Sequence, residues 1–264
     1  MGEWSSHEER QTDARAAYER IMTTPSPPSS GAYIDAGVIG FVFGEMWRRG
    51  VLTPRDRRWI TLSCVGACDA AIPIESHVFA ALNSDEVTLE EFDEFVLHFA
   101  TELGWPKGSA LNLQGMVAAA RIAEEKGEPM PEVAFEPWAD PVDDAARRAR
   151  GEAAYRDVHG DTGTPAFTAF RGTASLDFRY GEVWTRDRYL TRRDRRIVSI
   201  CCSAAVSAVA PAREHVRAAL ATGDLTFEEL QELVVHFAVY CGWALGEQLD
   251  DLLVDAATEV GAGD

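Results

Sequence analysis

Apolar residues recur every three or four positions in long blocks of this chain. No run alternates apolar and polar residues long enough to make a convincing strand, so the pattern predicts an all-α protein. Helix punctuation divides the blocks. Ser6, with Glu9 three residues later, forms a capping box that opens a helix running to about Met22. The stretch TTPSPPSSG at 23–31 cannot continue it, because proline removes a donor and clashes with the preceding turn. A helix from Ala36 to Trp47 should follow. After a loop with Gly50 and Pro54, Arg55 to about Ile72 reads as a long, mostly apolar helix broken by Pro73. A short helix then runs from Ile74 to Leu82. Thr88 and Glu91 cap another, which ends before Gly104, and a last helix spans roughly Ser109 to Glu125.

The pattern then repeats. FGEMWRRGVLTPRDRR at 43–58 returns as YGEVWTRDRYLTRRDRR at 180–196. IESHVFAALNSDEVTLEEFDEFVLHFATELGW at 74–105 returns as AREHVRAALATGDLTFEELQELVVHFAVYCGW at 212–243. His77 and His215 lie 138 positions apart, as do His98 and His236, and Trp105 and Trp243. Ala16, Ala17 and Tyr18 match Ala153, Ala154 and Tyr155, Pro73 matches Pro211, and Thr226 with Glu229 repeats the capping box. Residues 126–143, rich in proline and acids, read as a linker. The expected organisation is two tandem helical domains, 1–126 and 144–264, related by internal duplication. A polar residue kept in register in both copies of an apolar segment is harder to assign to chance than one seen once.

Composition narrows the classes. A net charge of −18 offers no basic patch for nucleic acid and disfavours anionic membranes. No segment approaches 18 uninterrupted apolar residues, and the N-terminus has no basic-then-apolar signal pattern, so a cytoplasmic protein is expected. Cys64, Cys68, Cys201, Cys202 and Cys241 sit inside apolar stretches, which fits free thiols better than a disulfide framework.

The repeated polar residues are the candidates for chemistry. His77 and His215 follow a proline near a helix start, where the helix dipole would keep them neutral and suited to donate a hydrogen bond or shuttle a proton; the alternative is a capping histidine bonded to a backbone carbonyl. His98 and His236 lie in FVLHFA and LVVHFA and need partners if buried; Glu94 with Glu102, and Glu232 with Tyr240, share their helix faces. Carboxylates flank these histidines, but too few ligands stand at metal spacing, so no metal is expected. Glu45 with Trp47, and Glu182 with Trp184, end the second helix of each repeat; the tryptophans read either as core or as the wall of a cleft, where desolvation would favour the neutral form of the acid. Arg57 and Arg195 open the long helix against its dipole. Each is expected to have another partner, either a substrate carboxylate held by two parallel bonds or an acid on a neighbouring helix. Cys64 and Cys68, spaced CxxxC in mid-helix, read as core.

The run YGEVWTRDRYLTRRDRRIVSI followed by REHVRAALATGDLTFEELQELVVHFAVYCGW resembles the carboxymuconolactone decarboxylase family. The likeness covers nearly all of 152–250 and, less closely, most of 36–122. It implies an all-α fold related to the alkylhydroperoxidase D proteins and no cofactor. It also implies a ring-like homo-oligomer, in which a fused pair would mimic one dimer: a trimer of this chain, or a dimer. The family's first histidine falls on His77 and His215, its second on His98 and His236, its tyrosine on Tyr240 (Glu102 in the first half), and its arginine on Arg57 and Arg195. The peroxidase branch's cysteines fall on Ala70 and Pro73, and on Ala208 and Pro211, and its glutamate on Arg58 and Arg196, so the resemblance disfavours thiol-dependent peroxide reduction. The expected activity is decarboxylation of a small carboxylated lactone or related carbonyl compound. His215 would be donor or acid, with His236 and Tyr240 shaping its pocket, Arg195 holding a carboxylate and Trp184 forming a wall. Isomerisation, dehydration or ring closure would use the same groups, and a catalytically silent binding or assembly module is the alternative of another class.

Overall fold

The computed structural model describes residues 4, 6–141, 143–160, 163 and 168–262. Helices are the only regular elements among the described residues: α1 (His7–Met22), π1 (Tyr33–Phe43), α2 (Pro54–Ala67), α3 (Ala71–Asn83), α4 (Leu89–Leu103) and α5 (Trp105–Lys126). After an irregular linker come α6 (Asp144–His159), π2 (Phe170–Val183), α7 (Arg192–Ala205), α8 (Val209–Thr222), α9 (Phe227–Cys241) and α10 (Trp243–Val260). The second half thus repeats the element order of the first. None of these helices is long and apolar enough to cross a membrane.

Most expected boundaries hold. Ser6 accepts the Glu9 N–H, and the boxes at Thr88/Glu91 and Thr226/Glu229 are closed in both directions. Two further boxes, Thr53/Asp56 and Thr191/Asp194, open α2 and α7. Gly104, at φ 97°, ends α4, and α5 begins directly after it rather than at Ser109.

Three expectations need correction. The long helix does not run to Ile72. It stops at Ala67, because Asp69 takes a left-handed φ of 51° and turns the chain; Ser207 does the same at 54° in the second half. Pro73 breaks nothing, since it lies in the first turn of α3, where a missing N–H costs no helical bond. As a result His77 and His215 sit nearly two turns inside their helices, beyond the reach of the dipole's positive end. Third, the helix expected over 36–47 is wider than α: the Gly44 N–H reaches the Ile39 carbonyl at 2.8 Å, and the Trp184 N–H reaches Arg179 at 2.9 Å, both five residues back. The chain then tightens into a short 3-10 turn at Met46–Arg48 that sets Trp47 inward.

The halves share one core. α2 packs on α7 and α9, and α4 packs on α7, so apolar residues of both halves interdigitate around Trp59, Phe95, Ile197 and Phe237. Each outer pair, α1 with π1 and α6 with π2, closes over one end. The α6–π2 contact is close enough that a Cβ on Gly151 would lie 1.8 Å from the Leu176 carbonyl oxygen.

Candidate functional site

The repeated arginine motif explains how the halves cross. The first arginine reaches the capping aspartate of the opposite half: Arg193 donates to Asp56 at 3.1 Å, and Arg55 to Asp194 at 3.3 Å. The second reaches a buried glutamate of the opposite half: Arg57 to Glu232 at 3.3 Å, and Arg195 to Glu94 at 2.7 Å. The third stays in its own half, over a tryptophan ring. Arg58 lies 5.0 Å from the centre of Trp47 and Arg196 lies 5.4 Å from that of Trp184. Two sites result, each built from both halves.

The first site gathers Trp47, Arg57, Arg58, Thr61 and His77 with His236 and Tyr240. Arg57 can only donate, so its contact at 3.1 Å makes His236 Nδ1 an acceptor, and Nε2–H then donates to Thr61 Oγ1 at 2.9 Å. Trp47 Nε1–H donates to the Tyr240 hydroxyl at 2.7 Å. His77 stacks on Trp47 at 6.4 Å and 6°. Burial, helped by the Arg58 charge, lowers its pKa to about 3. His77 Nδ1 and Arg58 Nη1 are both buried without a partner.

The second site gathers Arg179, Tyr180, Trp184, Arg195, Arg196, Ser199 and His215 with His98 and Glu102. Arg195 Nη1 donates to His98 Nδ1 at 3.2 Å, and His98 Nε2 bonds Ser199 Oγ at 3.0 Å. Ser199 Oγ donates to Glu102 at 3.0 Å, and Glu102 holds Arg179 with bonds of 2.7 and 2.8 Å. Trp184 stacks on His215 at 5.9 Å and 8°. His215 has guanidinium donors at both nitrogens, Arg196 at 2.9 Å from Nδ1 and Arg179 at 3.1 Å from Nε2. Burial and then these charges hold its pKa well below the usual histidine range, so the ring is neutral and has one lone pair. Arg196 is fixed by Asp224 and the Val158 carbonyl, and Arg179 by Glu102, so one guanidinium takes that lone pair and the ring N–H faces the other.

Corresponding positions differ in polarity. Where the first site has Met22, Val42, Phe43 and Tyr240, the second has His159, Arg179, Tyr180 and Glu102. The first group belongs to an apolar cluster. In the second, His159 Nε2 bonds the Tyr180 hydroxyl at 2.7 Å, and burial with the Arg196 charge lowers the His159 pKa to about 3.

The structure therefore regroups the sequence candidates. His215 does not share its site with His236 and Tyr240; those two face His77, while His98 and Glu102 stand by His215. Arg57 and Arg195, proposed to grip a substrate carboxylate, already serve buried glutamates, backbone carbonyls and a histidine. Glu45 pairs with Arg10, and Glu182 with Arg147 and Arg150, tying the wide helices to α1 and α6. Trp47 and Trp184 remain at the sites. Each also lines a cleft, of about 660 Å³ beside Trp47 and about 820 Å³ beside Trp184. Sequence reading missed Arg179, His159, Thr61 and Ser199. The first two differ between the repeats and the last two are small polar residues in apolar helices; only the paired arginines, present in both copies, gave a signal.

An all-helical fold with buried histidines between two crossed halves defines the class. Residues 172–250 match the model of the Carboxymuconolactone decarboxylase family, and this segment of the chain belongs to that family. It carries Arg179, Trp184, Arg195, His215, His236 and Tyr240. No curated protein matches the chain.

Proposed function

We propose that this chain is a cofactor-free decarboxylase of a small carboxylated lactone or related carbonyl compound, working at the His215 site. The observation that supports this reading is a neutral His215 with a guanidinium at each ring nitrogen, Arg196 and Arg179, so that its one N–H faces a donor rather than an acceptor. Loss of carbon dioxide leaves an electron pair that the substrate carbonyl takes up as an enolate. An enolate oxygen seated there would accept from His215 and Arg179 together, in a site from which burial excludes most water. A neutral imidazole with depressed basicity suits this role as a hydrogen-bond donor rather than a proton store. The carbon would then take its proton from water admitted through the Trp184 cleft. Isomerisation, dehydration or cyclisation through the same enolate would use the same pair.

Ultraviolet and carbon dioxide assays on 4-carboxymuconolactone test the reading. Removing one such donor costs on the order of 10²–10³ in kcat, so His215→Ala should lose turnover and His77→Ala should keep it. Equal turnover in wild type and His215→Ala refutes the assignment. The second reading is a binding module without chemistry. It is favoured by the 1% exposure of His215 against Trp184. It predicts no turnover in wild type and a lower melting temperature in His215→Ala. The homo-oligomer belongs to the same proposal, and light scattering should give a mass above one chain.

A further inference from the structure

A cavity of about 380 Å³, which shares Arg186 with the Trp184 cleft, lies between the α4–α5 face and the linker. Its walls include Trp105 of α5, Phe135 and Trp138 of the linker, Asp93 of α4, Glu136 and Arg186. We propose that it binds an organic cation with an apolar body, the charge against Asp93 and the body between the aromatic rings.

The charges favour a cation. Arg186 donates to Glu94, with both bonds at 2.9 Å, and shares that carboxylate with Arg195, so the three together carry one positive charge. That leaves two carboxylates at the cavity. Among the described residues, Glu136 accepts only a backbone N–H, from Arg188 at 3.3 Å. Asp93 is half-buried and has no hydrogen-bond or ion-pair partner among the described residues. Burial and the neighbouring Glu94 push its carboxyl up against the opposing pull of Arg186, and a bound cation would add to that pull. The rings suit the same ligand, since aromatic faces attract cations. The Arg186 guanidinium already lies 5.0 Å from the Trp138 ring centre. Asp93 and Glu136 outweigh that single positive charge, and an anion would meet two carboxylates and a guanidinium already bonded to Glu94.

The repeat supplies a built-in comparison. Gln231, an uncharged amide, stands where Asp93 does, so the carboxylate is particular to the first copy. The cavity's volume lies within the range of small-ligand sites.

The test is a titration followed by tryptophan fluorescence and calorimetry. The probes are 2-phenylethylammonium and the matched anion phenylacetate, on wild type, Asp93→Asn and Trp138→Ala. Wild type should bind the cation saturably and the anion at least about tenfold more weakly. Asp93→Asn, with an unchanged melting temperature, should weaken the cation about tenfold. Trp138→Ala should weaken it as well. Equal affinity for both probes, unchanged binding in Asp93→Asn, or no saturable binding of the cation would overturn the proposal. None of these outcomes depends on decarboxylase activity.

Discussion

Replacing Glu232 by alanine tests whether Arg57 is a clamp between halves or a hand for substrate. The Arg57 side chain is 2% exposed and that of Glu232 is 6% exposed. Removing Glu232 leaves the guanidinium with two neutral acceptors, the Arg49 carbonyl at 2.6 Å and His236 Nδ1 at 3.1 Å. Breaking a buried pair from one side costs about 3–5 kcal/mol, and the remaining acceptors place this one near about 3. Arg49, with a side chain 39% exposed, turns to solvent and adds less than about 1 kcal/mol. For a chain of this size the loss corresponds to a fall in melting temperature of roughly 6–12 °C. Calorimetry and urea titration should show it as a shifted midpoint with unchanged slope. The double variant Arg57→Met/Glu232→Leu, which removes both charges, should recover at least half of the loss. A cost below about 1 kcal/mol in Glu232→Ala would mean that Arg57 reaches water, and would restore it as a candidate carboxylate ligand.

Acid should unfold the protein early. Unfolded histidine titrates near 6.5, whereas His77 and His159 are held to about 3, and His98, His215 and His236 are also lowered, in each case mainly by burial. Between those values the unfolded chain binds protons that the folded chain refuses, so stability is complete above about pH 6.5 and falls as pH drops toward 3. Each histidine contributes about 1.4 kcal/mol per pH unit in that window, and His159→Gln should reduce the measured slope by about one proton. A stability that stays flat from pH 6.5 to 4.5 would contradict the burial account. Gly151→Ala should cost at least about 3 kcal/mol in urea titration, because its Cβ would meet the Leu176 carbonyl oxygen at 1.8 Å; a neutral result would show that α6 and π2 do not touch there.

Helices and caps were legible because their signals are local. Apolar spacing and Thr-x-x-Glu pairs specify α4 and α9 almost to the residue. The break before α3 was misplaced because proline punctuates strongly in sequence, whereas the real turn rests on the left-handed backbone of Asp69, a turn-tolerant residue whose signal is weaker than that of proline or glycine. The width of π1 and π2 was invisible, since a five-residue hydrogen-bond step leaves no clear apolar period. The histidines themselves were found through the repeat. Their grouping was not, because each half looks self-sufficient in sequence. Only the crossing of α2, α4, α7 and α9 reveals that His98 serves the site of His215, and His236 that of His77. Arg179 escaped for a related reason: it matters as the partner of Glu102, from the opposite half, at positions where the first site has Val42 and Tyr240.

Carbon dioxide release from 4-carboxymuconolactone by wild type, Glu102→Gln and Tyr240→Phe tests most directly whether the working site is assembled across the halves. If the working site is assembled across the halves, Glu102→Gln frees Arg179 from its place beside His215 and abolishes most of the turnover, while Tyr240→Phe leaves it near wild type. A self-contained second half would give the reverse, with Tyr240→Phe inactive and Glu102→Gln intact, and that result would contradict the account.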